Sequence, residues 1–104
     1  MTFPSEHKYI LVGHQPVPEP DTLKWGNWIE NNNRIVKQDW FFDKVVKVST
    51  VFLGLDHGWN GELQLFETLV FGGDDDDEMT RCATWWQAEA MHAAMCRQVQ
   101  THRL

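Results

Sequence analysis

Residues 45–71 read VVKVSTVFLGLDHGWNGELQLFETLVF, and their pattern decides the fold. β-Branched side chains crowd the first part, at Val45, Val46, Val48, Thr50 and Val51. Such side chains favour a pleated backbone. A polar stretch from Asp56 to Glu62, holding Gly58 and Gly61, separates them from a second apolar run. Two long strands, 45–55 and 63–71, joined by a short loop are therefore expected.

Working outward, residues 34–42 read as a strand preceding this pair, with Asp43 and Lys44 as the turn. On the other side, Gly72 and Gly73 break the chain ahead of Asp74-Asp75-Asp76-Asp77-Glu78. Adjacent carboxylates repel, so a hydrated, extended surface loop is expected there. Weak cation binding and mimicry of a phosphate backbone are secondary readings of this run. Residues 79–83 allow a short fourth strand. Thr84 and Gln87 have the spacing of a capping box, which starts a helix at Trp85 running to about residue 100. Trp85, Ala88, Met91, His92, Met95, Cys96 and Val99 fall on one face of it. That stripe needs a sheet to cover.

Towards the N-terminus, Asp21 stands where a helix N-cap belongs. Trp25, Trp28 and Ile29 then mark a short amphipathic helix over 22–31, ended by Asn31-Asn32-Asn33. Pro16, Pro18 and Pro20 keep the preceding segment extended, as a connector or a polyproline-type ligand. Residues 8–12 form a short apolar run, an edge strand or a segment laid along the core. Residues 1–8 are polar and expected to be loose. The fold class is α+β: a three- to four-stranded antiparallel β-meander, a C-terminal amphipathic helix packed against it, and a shorter N-terminal helix. All 104 residues form one domain.

Composition narrows function by exclusion. Asp and Glu outnumber Lys and Arg by 15 to 9, a net charge of −6. Direct binding to a nucleic-acid backbone, which needs a basic surface, is not expected. No apolar run approaches the roughly 18 to 20 residues that span a membrane, and no secretory signal is seen. A cytoplasmic setting is the expectation. Cys82 and Cys96 show no CxxC spacing and no neighbouring His is read at ligand spacing, so no disulfide framework, metal or cofactor is expected. No GxSxG motif, phosphate-cradling glycine loop or catalytic Cys/His spacing occurs, and no catalytic residue is assigned.

Two places could bind something. Alternation over 63–71 puts Leu63, Leu65, Glu67, Leu69 and Phe71 on one face. That makes Glu67 a carboxylate on an apolar face, opposite Val51. A buried carboxylate needs a partner. His92, at the centre of the helical stripe, is the first choice, with Arg34 and Arg81 behind it. Glu67 and His92 then form either a satisfied core pair or a polar pocket. The second place is the loop with Asp56, His57, Trp59 and Asn60. It reads as a structural turn or, with Trp59 at its tip, as a contact surface. Metal or acid–base chemistry there ranks lower.

Several strings also carry a resemblance. They are 48–57 (VSTVFLGLDH), 65–73 (LFETLVFGG), 8–14 with Pro16 and Val17, 24–28 (KWGNW), and 81–85 leading to His92. Together they resemble a small uncharacterised protein family of tailed bacteriophages and prophages, over residues 8 to 100. This chain departs from the family at 58–62, where relatives carry a Gly/Pro-rich loop, and at Cys82, where they have an aromatic. The resemblance implies a viral setting, in the cytoplasm of a bacterial host, and no activity.

The leading expectation is a non-enzymatic accessory protein binding a host or phage protein, inhibition of a host antiviral defence being one form of this. The alternative is a small-ligand or nucleotide-binding sponge with a polar pocket near Glu67, His57 and His92. An enzyme using Asp56, His57 and Glu67 ranks third. Trp40, Phe41 and Phe42 in a row put aromatics on both faces of their strand, which makes a homodimer one arrangement.

Overall fold

The computed structural model describes residues 7–58 and 61–102. Most of the expected loose N-terminal segment lies outside the described residues, as do Trp59 and Asn60. The chain begins with a hairpin of β1 (Tyr9–Val12) and β2 (Gln15–Pro18), followed by α1 (Thr22–Asn31). Then come β3 (Ile35–Phe41), β4 (Val46–Phe52), β5 (Phe66–Phe71) and β6 (Met79–Cys82), and finally α2 (Trp85–His102). Strands β3 to β6 form one antiparallel sheet in sequence order, as a meander should.

The helix boundaries follow from their caps. The Asp21 carboxylate accepts from the amides of Leu23 and Lys24 at 3.0 and 3.2 Å, two of the donors a helix start leaves free. At α2, Gln87 N–H donates to Thr84 Oγ1 at 3.1 Å, and Thr84 N–H donates back to Gln87 Oε1 at 3.1 Å. This is the capping box in full.

Among the described residues, the cover for the sheet lies on one side. Ala88, His92, Met95 and Val99 of α2 are buried against it. Trp28 of α1 meets Phe52 edge-on, with ring centroids 5.8 Å apart. Trp25 Nε1–H donates to the Gly54 carbonyl at 2.9 Å. Gly54 has φ +79°, and a Cβ there would run into Ile29 Cδ1. The close seat of α1 therefore needs glycine at this position. In the β1–β2 turn, His14 stacks on Trp85 with centroids 3.8 Å apart, tying the hairpin to α2.

The core is divided. Val46, Val48, Val70, Met95 and Val99 form one apolar cluster. Phe52, Leu65, Phe66 and Ala88 form another. Between them along β4, β5 and α2 lie the buried polar side chains Thr50, Thr68 and His92.

Two expectations are corrected. The inward face of β5 is Phe66, Thr68 and Val70, whereas Glu67 is half-buried on the opposite face. The reason is local: β5 begins at Phe66, so Leu63 and Leu65 belong to the connection and not to the alternation. Leu65 still reaches the core, at 1% exposure, from that connection. The acidic run is a tight turn and not an extended loop. Asp75 is buried and accepts from Gln98 Nε2 at 3.2 Å and from His102 Nδ1–H at 2.7 Å. Asp76 accepts from Gly72 N–H at 2.6 Å. Glu78 also accepts from Gln98 Nε2 at 3.2 Å, so three carboxylates of the run hold the end of α2 and the backbone of the turn.

Candidate functional site

The polar belt beneath α2 is a continuous hydrogen-bonded chain. His92 Nε2 lies 2.7 Å from Asp39 Oδ2, and Nδ1 lies 2.7 Å from Thr50 Oγ1. Thr50 Oγ1 is 2.5 Å from Thr68 Oγ1. A carboxylate can only accept, so Nε2 carries the proton shared with Asp39. In the neutral ring, Nδ1 then accepts from the Thr50 hydroxyl. The pleat delivers these groups: Asp39 pairs with Val48 across β3–β4, and Thr50 pairs with Thr68 across β4–β5. All of them face α2.

The order hydroxyl, imidazole, carboxylate is that of a nucleophilic triad. Here Thr50 and Thr68 are 0% exposed, so no substrate reaches the hydroxyl end. The chain opens to solvent at Asp39 alone, whose side chain is 39% exposed on the sheet edge. Its main effect is to satisfy polar groups that would otherwise be costly inside the core.

Cys96 joins the belt one helical turn beyond His92. Its sulfur lies 3.9 Å from Asp39 Oδ2. Burial pushes the Cys96 thiol up to about 11, the Asp39 charge adds to this, and Lys37 and Arg97 act in the opposite direction. Its thiolate fraction at neutral pH is then on the order of a hundredfold below that of an ordinary cysteine. Alkylation of Cys96 by iodoacetamide, followed by peptide mass spectrometry, is expected to be slow at pH 7.5 and to accelerate steadily up to pH 11. A rate already saturated near pH 9 would contradict this.

The other expected site residues lie elsewhere. Glu67 is bound by Arg81, its cross-strand neighbour, through Nε–H and an amino group, each 3.0 Å from Oε2. It does face Val51 in register, as its position predicted. It does not meet His92, because the two stand on opposite faces of the sheet. Among the described residues, Glu67 and His92 therefore do not bound a single pocket. Asp56 closes its own loop by accepting from Gly58 and Gln64 amides at 2.8 and 2.9 Å. His57 is exposed and lines a cleft of about 170 Å³ with Glu62, Gln64 and Arg81. A neighbouring, more open cleft of about 360 Å³ runs from Glu62 and Arg81 to Gln87.

Sequence reasoning missed Asp39 and the grouping of His92 with Cys96. The spacing of the latter two, four apart on one helix, was the available signal. Asp39 gave none, since its approach depends on the β3–β4 register.

The second face of the sheet has no cover among the described residues. Three cross-strand rows fill it. One is Trp40, Lys47 and Phe71. The next is Gln38, Ser49, Leu69 and Met79. The third is Ile35, Val51, Glu67 and Arg81. Trp40 is 52% exposed, Met79 46%, Ile35 44% and Phe71 43%. Lys47 Nζ sits 5.3 Å from the Trp40 ring centroid and 4.7 Å from that of Phe71. Its ammonium thus braces two exposed aromatics. No helix among the described residues is long and apolar enough to cross a membrane.

Comparison with family models, with curated proteins and with solved structures finds no match to this chain.

Proposed function

We propose that the protein is a non-enzymatic binding module that docks a protein partner on the open face of its sheet. The observation that carries this reading is the Trp40–Lys47–Phe71 row with Ile35, Leu69 and Met79 beside it, uncovered by either helix. Isolated exposed apolar residues need no explanation, but a grouped set flanked by polar residues marks a contact surface. Tryptophan and other aromatics supply much of the energy at such surfaces. The phage accessory role rests on the sequence resemblance and makes the partner a host or phage protein. A second copy of the chain is the other occupant of this class.

The small-ligand reading is weaker on geometry. Its two principal residues, Glu67 and His92, are separated by the sheet, and the clefts beside Arg81 are open and polar, unlike the mostly apolar cavities that enclose ligands.

The test is capture from infected bacterial cells with the full chain as bait, compared with the Trp40→Ser/Phe71→Ser double variant. A partner retained by the wild type and bound at least ~10-fold less by the variant, at equal melting temperature, is the expected result. Equal capture by both, or recovery of a nucleotide and no protein, would sink the reading.

A further inference from the structure

We propose that Asp39, His92 and Cys96 form a binding site for a divalent cation of the zinc class, held between the edge strand and α2. Their donor atoms, one carboxylate oxygen, one imidazole nitrogen and one sulfur, all lie within 4.8 Å of one another. This mixed O, N, S set suits a borderline-soft ion and not calcium or magnesium, which take oxygen ligands.

The two distances to Asp39 are close to those of an occupied site. A tetrahedral ion with bonds of about 2.0–2.3 Å holds its ligand atoms about 3.3–3.6 Å apart. The His92–Asp39 separation, now 2.7 Å, opens by about 0.6 Å, and the 3.9 Å between Cys96 and Asp39 closes by a few tenths. Rotation of the half-exposed Asp39 side chain at the sheet edge supplies these two changes, while the His92 nitrogen and Cys96 sulfur, within 4.8 Å of each other, draw together by up to about 1.3 Å through rotation of the Cys96 side chain. The buried His92 stays in place.

The support behind the ligands is also present. A metal-bound histidine nearly always has its other ring nitrogen hydrogen-bonded, which fixes the tautomer. Here Thr50 Oγ1 lies 2.7 Å from Nδ1. On metal binding the ring proton moves from Nε2 to Nδ1 and is donated to Thr50, whose own proton turns towards Thr68. The Cys96 thiol proton leaves to solvent. Cation, thiolate and carboxylate then sum to zero charge, and a solvent molecule completes the coordination on the open side of Asp39.

Cobalt(II) titration of the full, tag-free chain tests this, read as the sulfur-to-cobalt charge-transfer absorption of a coordinated thiolate. One equivalent per chain is expected. The chain has only two cysteines, so Cys82→Ser should keep the band and Cys96→Ser should lose it. Asp39→Asn, a half-exposed change that leaves the core intact, should weaken uptake by at least ~10-fold. Circular dichroism verifies that each variant is folded. A folded wild type with no thiolate band would overturn the site and leave a plain His92–Asp39 hydrogen bond. A band lost in Cys82→Ser, or unchanged in Asp39→Asn, would overturn it equally.

Discussion

Replacing His92 by alanine is expected to destabilise the protein by about 2–4 kcal/mol in equilibrium urea unfolding. The side chain is 1% exposed and stands between the two apolar clusters. Its removal leaves a cavity lined by hydroxyls, and Thr50 keeps only Thr68 as a partner. Asp39 loses its hydrogen bond to the imidazole, keeps the Cys96 contact and regains water, being open on one side. His92→Leu separates the two contributions. It refills the volume and restores no hydrogen bond, so it should recover part of the loss and still fall about 1–3 kcal/mol short of wild type. A leucine variant as stable as wild type would mean the belt contributes nothing beyond its volume. Because the total stability of a domain is about 5–15 kcal/mol, either change is large.

Phe52→Ala should cost more, about 3–5 kcal/mol, at 0% exposure. Phe52 packs against Phe66 at 5.3 Å between centroids and against Trp28 at 5.8 Å. It therefore joins β4, β5 and α1. At about 4–8 °C per kcal/mol for a domain of this size, the melting temperature falls by at least ~12 °C. The loss should also spread to α1. That helix has no fully buried residue of its own and depends on Trp28, Trp25 and Ile29 for its seat. Faster amide exchange across Thr22–Asn31 than across α2 is the accompanying signature. A fall in melting temperature of only a few degrees would show that the second cluster is not the core described here.

Most of the architecture was legible because it is locally encoded. Asp21 and the Thr84–Gln87 pair announce their helices through side-chain hydrogen bonds within one turn. The β4–β5 register was legible from a hairpin centred on the 56–62 loop, which sets Glu67 opposite Val51, and Val51 does face Glu67. What was not legible depended on where a strand begins. Counting Leu63 and Leu65 as strand residues placed Glu67 on the inner face, and the pairing with His92 followed from that error. Period-2 patterning is unforgiving in this respect, since one wrong starting point exchanges the two faces. Thr50 and Thr68 gave no sign of burial by residue type, yet they are the polar centre of the core. The acidic run was read by composition, whereas its geometry is decided by the turn at 74–77 and by the distant partners Gln98 and His102.

The central claim is that the molecule has one covered face and one face left for a partner. Oxidative footprinting of the captured complex measures this directly. On binding, Trp40, Phe71 and Met79 should lose reactivity together, by several-fold. Leu23 and Trp86, which are 85% and 71% exposed on the helical side, should keep the rates they have in the free protein. Protection of Leu23 and Trp86 with Trp40, Phe71 and Met79 unchanged would contradict the account and move the partner to the helices.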